Sequence, residues 1–135
     1  MFPFLRPYAF ESLDLSEYDI VISSSSAESK GVITLPSTLH VCYCHTPTRY
    51  YWSHTHLYKD HPEFGMLNFV AALVMPYFFH RLRLWDYAAS ARVDKFIANS
   101  EHTAARIAKY YRRSSVVISP GIDEREYSID PTIIK

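Results

Sequence analysis

"HVCYCHTPTRYYW", His40 to Trp52, begins as a strand and ends as something else. Val41, Cys42, Tyr43 and Cys44 make a short apolar run, Pro47 stops it, and Arg49 follows with three aromatics. A short unbroken apolar run closed by a polar turn is how a strand buried on both faces of a parallel sheet reads. The strand is expected over Leu39 to Cys44, after the Pro36-Ser37 break.

Three further runs share this character. "YDIVIS", Tyr18 to Ser23, enters a stretch of serines from Ser23 to Ser26. "VDKFIAN" covers Val93 to Asn99, and "SSVVIS", Ser114 to Ser119, is closed by Pro120-Gly121. Between them the pattern is helical. From Gly65 to about Arg92 a helix is expected, with Pro76 kinking or dividing it because proline lacks a backbone donor and crowds the preceding turn. Ser100 offers an N-cap hydroxyl and Glu101 a first-turn carboxylate, while Ala104, Ile107, Ala108 and Tyr111 fall at i, i+3, i+4 and i+7. That spacing predicts a helix from Glu101 to about Arg112. Strands alternating with helices or long crossovers give an α/β class: a mostly parallel, Rossmann-like sheet with helices on both faces.

A chain of 135 residues fits one domain with a real core. Lysine plus arginine equal aspartate plus glutamate at 14 each, so nothing in the overall charge argues for nucleic acid, an acidic substrate or a basic membrane tether, and no nucleic-acid partner is expected. Only two cysteines occur, and "MFPFLRPYAF" lacks a charged start followed by a continuous apolar run, which predicts no cleaved signal and a reducing cytoplasm. The longest apolar stretch, Met66 to Phe79, is shorter than the about 20 residues a bilayer demands. It reads either as a core helix or as a helix lying on a membrane face, the second supported by Arg81 and Arg83 beside Leu82, Leu84 and Trp85.

In open parallel sheets ligands bind beyond the carboxyl ends of the strands. The residues expected there are the serine run with Ser24 and Ser25, then His45 with Thr46, Asn99 with Ser100, and Ser119. Each also has a bland reading: the serines and Ser100 as caps, Asn99 as a turn residue, His45 as the end of a strand. Arg49, Tyr50, Tyr51 and Trp52 suit either a rim that stacks sugars and holds an anion, or a loop packed on the long helix.

Other chemistries fit less well. "HVCYCH" with His54, His56 and His61 is rich in metal ligands, but strand alternation puts His40, Cys42 and Cys44 on one face and His45 on the other, and zinc-knuckle spacing is missing. Cysteines two apart on a strand have α-carbons about 6.6 Å apart and parallel side chains, poor geometry for a disulfide. They read as small core residues. With glycine only at 31, 65 and 121, neither a dinucleotide fingerprint nor a P-loop can be drawn.

The order "YDIVISSSS…KGV", "HVCYCHTPTRYYW", "RLRLWDYAASARVDKFIANSEHTAARI" and "YYRRSSVVISPGID" resembles family 4 glycosyltransferases, closest to bacterial mannosyltransferase-like members that build surface polysaccharides. The resemblance runs from about Leu13 to Asp123. It implies that residues 1–123 form the second half of the N-terminal, acceptor-side domain of a GT-B enzyme. Residues 124–135 would then begin an interdomain connection, and the C-terminal donor domain would lie outside the chain. It further implies a retaining hexosyltransferase that takes a GDP- or UDP-sugar as donor, uses a lipid-linked or saccharide acceptor, and needs neither metal nor cofactor. The enzyme would sit in the cytoplasm or peripherally on the inner face of the plasma membrane, through 66–85. The resemblance places His45 near the reacting centre, Thr46, Pro47 and Arg49 in the same motif, and Asn99 with Ser100 in the next. Two departures stand out: Ser26 where many relatives have histidine, and no glycine-rich opening loop. The competing expectation is a non-catalytic α/β remnant that binds a membrane surface or a protein partner.

Overall fold

The computed structural model describes residues 5–53 and 68–121, with only the backbone at 68–73. In chain order the elements are α1 (Arg6–Glu11), β1 (Ile20–Ser25), a 3-10 turn (Ser29–Gly31), β2 (Leu39–Cys44), α2 (Arg49–Trp52), α3 (Asn68–Ala91), β3 (Lys95–Ala98), α4 (Glu101–Tyr111) and β4 (Ser115–Val117). The strands form one parallel sheet in the order β1-β2-β3-β4. The class is therefore α/β and Rossmann-like, as the apolar runs foretell.

This order has a geometric consequence. Parallel neighbours joined by right-handed crossovers that all advance the same way carry every connection over the same face. Strand alternation shows which face that is. Ser23, Ser25, His40, Cys42, Cys44, Phe96 and Ala98 point inward and are buried, whereas Ile20, Ile22, Ser24, Leu39 and Val116 point outward and are exposed. The inward row packs on Ile107 and Tyr111 of α4, with Val93, to make the core. Among the described residues the cover is on this face alone, and the outward face keeps a row of aliphatic side chains.

Helix α4 forms where the spacing puts it. The Ser100 hydroxyl accepts from Thr103 N at 3.2 Å, Glu101 complements the helix dipole, and the helix stops at Arg112, whose φ of 56° places a non-glycine residue in the left-handed region. Helix α3 is not divided at Pro76 but runs on through it, with the proline ring exposed. The strand in β1 is shifted later than the apolar run, because inward serines find buried partners: Ser23 Oγ meets His40 Nε2 at 2.9 Å and Ser25 Oγ donates to Ala27 O. Tyr50 to Trp52 belong to a helical turn, α2, rather than a loop. Gly65, Met66, His54, His56, His61 and the segment 122–135 lie outside the described residues.

A buried ionic joint ties these layers together. Asp86, on the inward side of α3 and fully buried, accepts from Lys30 Nζ, Thr48 Oγ1 (2.9 Å), Trp52 Nε1 (2.7 Å) and Tyr111 OH (2.8 Å). Burial, then the Asp86 carboxylate, pushes the Tyr111 hydroxyl far above its ordinary range, so it remains a donor. One carboxylate thus connects the 3-10 turn, α2, α3 and α4.

Candidate functional site

The carboxyl ends of β1, β2 and β3 lie side by side, because Ser25 pairs with Cys44 and Cys44 with Ala98. The residues that follow Cys44 and Ala98, His45 and Asn99, are therefore neighbours at one edge. Asn99 N donates to Cys44 O and His45 N to Ser25 O, so both positions continue the ladder for one more bond.

His45 is held from several directions. Its carbonyl accepts from Thr103 Oγ1 at 3.1 Å, in the first turn of α4. Its Nε2 meets Ser24 Oγ at 2.8 Å, and the Tyr43 ring stands edge-on to the imidazole with centroids 5.2 Å apart. Tyr43 is itself fixed, its hydroxyl donating to Ile118 O at the end of β4. His45 remains exposed despite these contacts, so a fixed imidazole is presented at the strand-end surface.

The other residues expected at this edge divide into two groups. Ser24, Arg49 and Tyr50 are exposed, and Thr46, Asn99 and Ser100 half-buried. The Ser100 hydroxyl caps α4 and lies 3.2 Å from Asn99 Oδ1, so the cap and the amide form one unit. Ser25 and Pro47 face inward and are buried, with the Ser25 hydroxyl spent on Ala27 O. Strand alternation explains the contrast between Ser24 and Ser25: neighbours on a strand point to opposite faces.

Three contributors escape a reading of sequence alone. Thr103 reaches His45 because α4 begins just after β3, whose end lies beside that of β2, and Tyr43 stands two residues before His45 with its ring edge-on to the imidazole. The Asp86 joint, which fixes Thr48 and Trp52 on either side of Arg49 and Tyr50, announces itself only as the lone acid in α3. Glu28 adds a second brace, accepting from Tyr51 OH at 2.8 Å; burial, then Glu28, pushes that phenol well above its ordinary range. Arg49 and Tyr50 are therefore carried on a short helix pinned beneath by buried hydrogen bonds.

The cysteines do no chemistry at this edge. Both are buried and free, and the hydrogen bond to Cys42, followed by burial, pushes the Cys44 thiol far up. His40, facing the core with them, has Nδ1 buried without a partner, and burial lowers its pKa from 6.5 despite Asp94. It is therefore a neutral core histidine. No group of three or more His, Cys, Asp or Glu side chains among the described residues is arranged to hold a metal.

The carboxyl edge of β2 and β3 presents an imidazole and an amide side by side, and Arg49 and Tyr50 are exposed on the short helix that follows β2, groups of the kind that bind polyhydroxylated, anionic ligands. The family model of Glycosyltransferase Family 4 matches residues 1–126. No curated protein and no solved structure matches the chain.

Proposed function

Because the chain belongs to glycosyltransferase family 4, we propose that it serves the transfer of a hexose from a nucleotide sugar to a lipid-linked or saccharide acceptor. In this reading the bond from the anomeric carbon to the nucleotide's phosphate oxygen breaks and the phosphate leaves with both electrons. The acceptor oxygen bonds that carbon on the same face and gives up its proton to the departing phosphate. Arg49 and Tyr50 supply a guanidinium and an aromatic face at the rim. His45, with Asn99 beside it, meets the sugar at the reacting centre. The nucleotide is held chiefly by a second domain, as in GT-B enzymes. What supports this reading most is the fixed, exposed His45 at the carboxyl edge of a parallel sheet, where such folds bind ligands.

The test is transfer of a labelled sugar from GDP-mannose and UDP-glucose, with a family 4 donor domain fused after the chain. His45→Ala is expected to abolish most transfer while leaving the backbone amide spectrum intact. Transfer by that variant at the unsubstituted rate would remove His45 from the site.

A second reading concerns where the reaction takes place. On α3, Val74, Tyr77, Leu84 and Tyr87 are all exposed and recur at spacings of three, seven and three along one side, with exposed His80 and Arg81 among them. No helix of the described residues is long and apolar enough to cross a membrane. An exposed apolar stripe with cationic neighbours instead suits a helix lying in a lipid headgroup layer, where it would meet a lipid-linked acceptor. Sedimentation with vesicles containing anionic lipid, lost in a Tyr77→Glu, Leu84→Glu variant, is the expected result. Equal sedimentation of both proteins would exclude this face.

A further inference from the structure

Ser24 sits at an unusual junction. It is the outward residue of β1 directly opposite Tyr43 in the β1–β2 register, and its neighbours Ser23 and Ser25 turn inward to buried partners. Its carbonyl is pinned by Ser29 Oγ at 2.9 Å, which fixes its backbone from the 3-10 turn. Its hydroxyl has one partner among the described residues, His45 Nε2 at 2.8 Å.

Consider what this leaves for His45. A hydroxyl can donate to a bare ring nitrogen or accept from a protonated one, so a bond to one nitrogen fixes where the ring points and which nitrogen is left to face outward. With the backbone of His45 fixed by Ser25 O and Thr103 Oγ1, and its ring edged by Tyr43, the side chain has little rotational freedom. Nε2 is occupied. Nδ1 makes no hydrogen bond among the described residues, although His45 is exposed.

We propose that Ser24 is the positioning residue of the site: by binding Nε2 it holds the His45 ring in one orientation, so that Nδ1 is the nitrogen that meets an oxygen of the ligand. This rests on the transferase reading for the identity of the ligand, a sugar hydroxyl or phosphate oxygen, but not for the hydrogen bond itself. Ser24 touches no reacting atom in this scheme. It acts through the imidazole, as second partners of functional histidines generally do.

The decisive experiment separates the two. In the full chain labelled with ¹³C,¹⁵N-histidine, three-bond couplings about the His45 Cα–Cβ bond and ring-proton NOEs to Tyr43 report ring orientation directly, with no need for activity. His45 is expected to show a single rotamer with its ring beside Ser24 and Tyr43. Ser24→Ala should give averaged couplings and weakened NOEs, and Ser24→Thr, which keeps the hydroxyl, should restore the single rotamer. Averaged couplings in the unsubstituted chain, or unchanged couplings in Ser24→Ala, overturn the proposal. In the donor-domain fusion, Ser24→Ala should lower kcat about tenfold, the worth of one hydrogen bond, with KM little changed. If His45→Ala abolishes transfer while Ser24→Ala alters neither couplings nor rate, positioning fails and the transferase reading stands. If the couplings respond to Ser24 but His45→Ala leaves transfer intact, the transferase reading fails and the positioning stands.

Discussion

Asp86 to asparagine removes one charge and no volume, yet it strikes four hydrogen bonds at once. The carboxylate accepts from Lys30 and Thr48 on one oxygen and from Trp52 and Tyr111 on the other. Asparagine must turn its NH₂ toward one of these pairs. Facing Lys30 it meets a cation that cannot accept; facing Trp52 it meets an indole N–H that cannot accept either. The second choice is milder, since Tyr111 and Thr48 can rotate their hydroxyls, but it still leaves Lys30 without its counter-charge while both partners are almost wholly buried. Breaking a buried pair from one side costs about 3–5 kcal/mol. Against a domain stability of about 5–15 kcal/mol, that is a large fraction. In urea, with m about 2 kcal/mol/M, the midpoint should fall by about 2 M. The pair should also be asymmetric: Lys30→Met leaves Asp86 with three donors and costs less than Asp86→Asn. A loss under about 1 kcal/mol for Asp86→Asn, or a larger one for Lys30→Met, refutes the view of Asp86 as the joint.

Other expectations follow from the same packing. A β-carbon on Gly31 would run into the Trp85 indole, which is tethered by its N–H to Glu11 Oε1 at 2.7 Å; Gly31→Ala should cost about 1–3 kcal/mol by urea titration. Cys42 and Cys44 should resist a thiol reagent in the folded protein and both react in denaturant, since burial hides them and Cys44 is held as a thiol. His40 is neutral when folded, with its pKa below 6.5, so between that folded value and 6.5 the unfolded chain binds the extra proton. Stability should therefore fall as pH drops below 6.5, and His40→Gln should flatten that slope.

The strands were legible because "IVIS", "VCYC", "FIA" and "SVV" are short β-branched or apolar runs closed by polar or turn residues, although Ile20, Ile22 and Val116 within them stay exposed on the outward face. The α4 cap was legible for a similar reason: Ser100 with Thr103 three residues on is local chemistry. What sequence could not supply was anything decided between elements. Which serine of the run points outward depends on where β1 is registered against β2, and a shift of one residue would exchange Ser24 for its inward neighbours. Helix α3 carries apolar residues on both its packed and its exposed sides, so periodicity could not choose a face. Lys30 looks like a surface lysine until Asp86 is found opposite it, 56 residues away. Likewise Asn99 and His45 read as two separate polar strand ends, but their adjacency comes from the β2–β3 pairing, with Thr103 at the start of α4 bonding the His45 carbonyl.

The measurement that bears most directly on the central claim compares sugar transfer by the donor-domain fusion with and without His45→Ala, both checked by backbone amide spectra. Measurable hexose transfer is expected in the first and a loss of at least about a hundredfold in the second, with superimposable spectra. Equal transfer by the two proteins would contradict it, and would move the site away from the carboxyl end of β2.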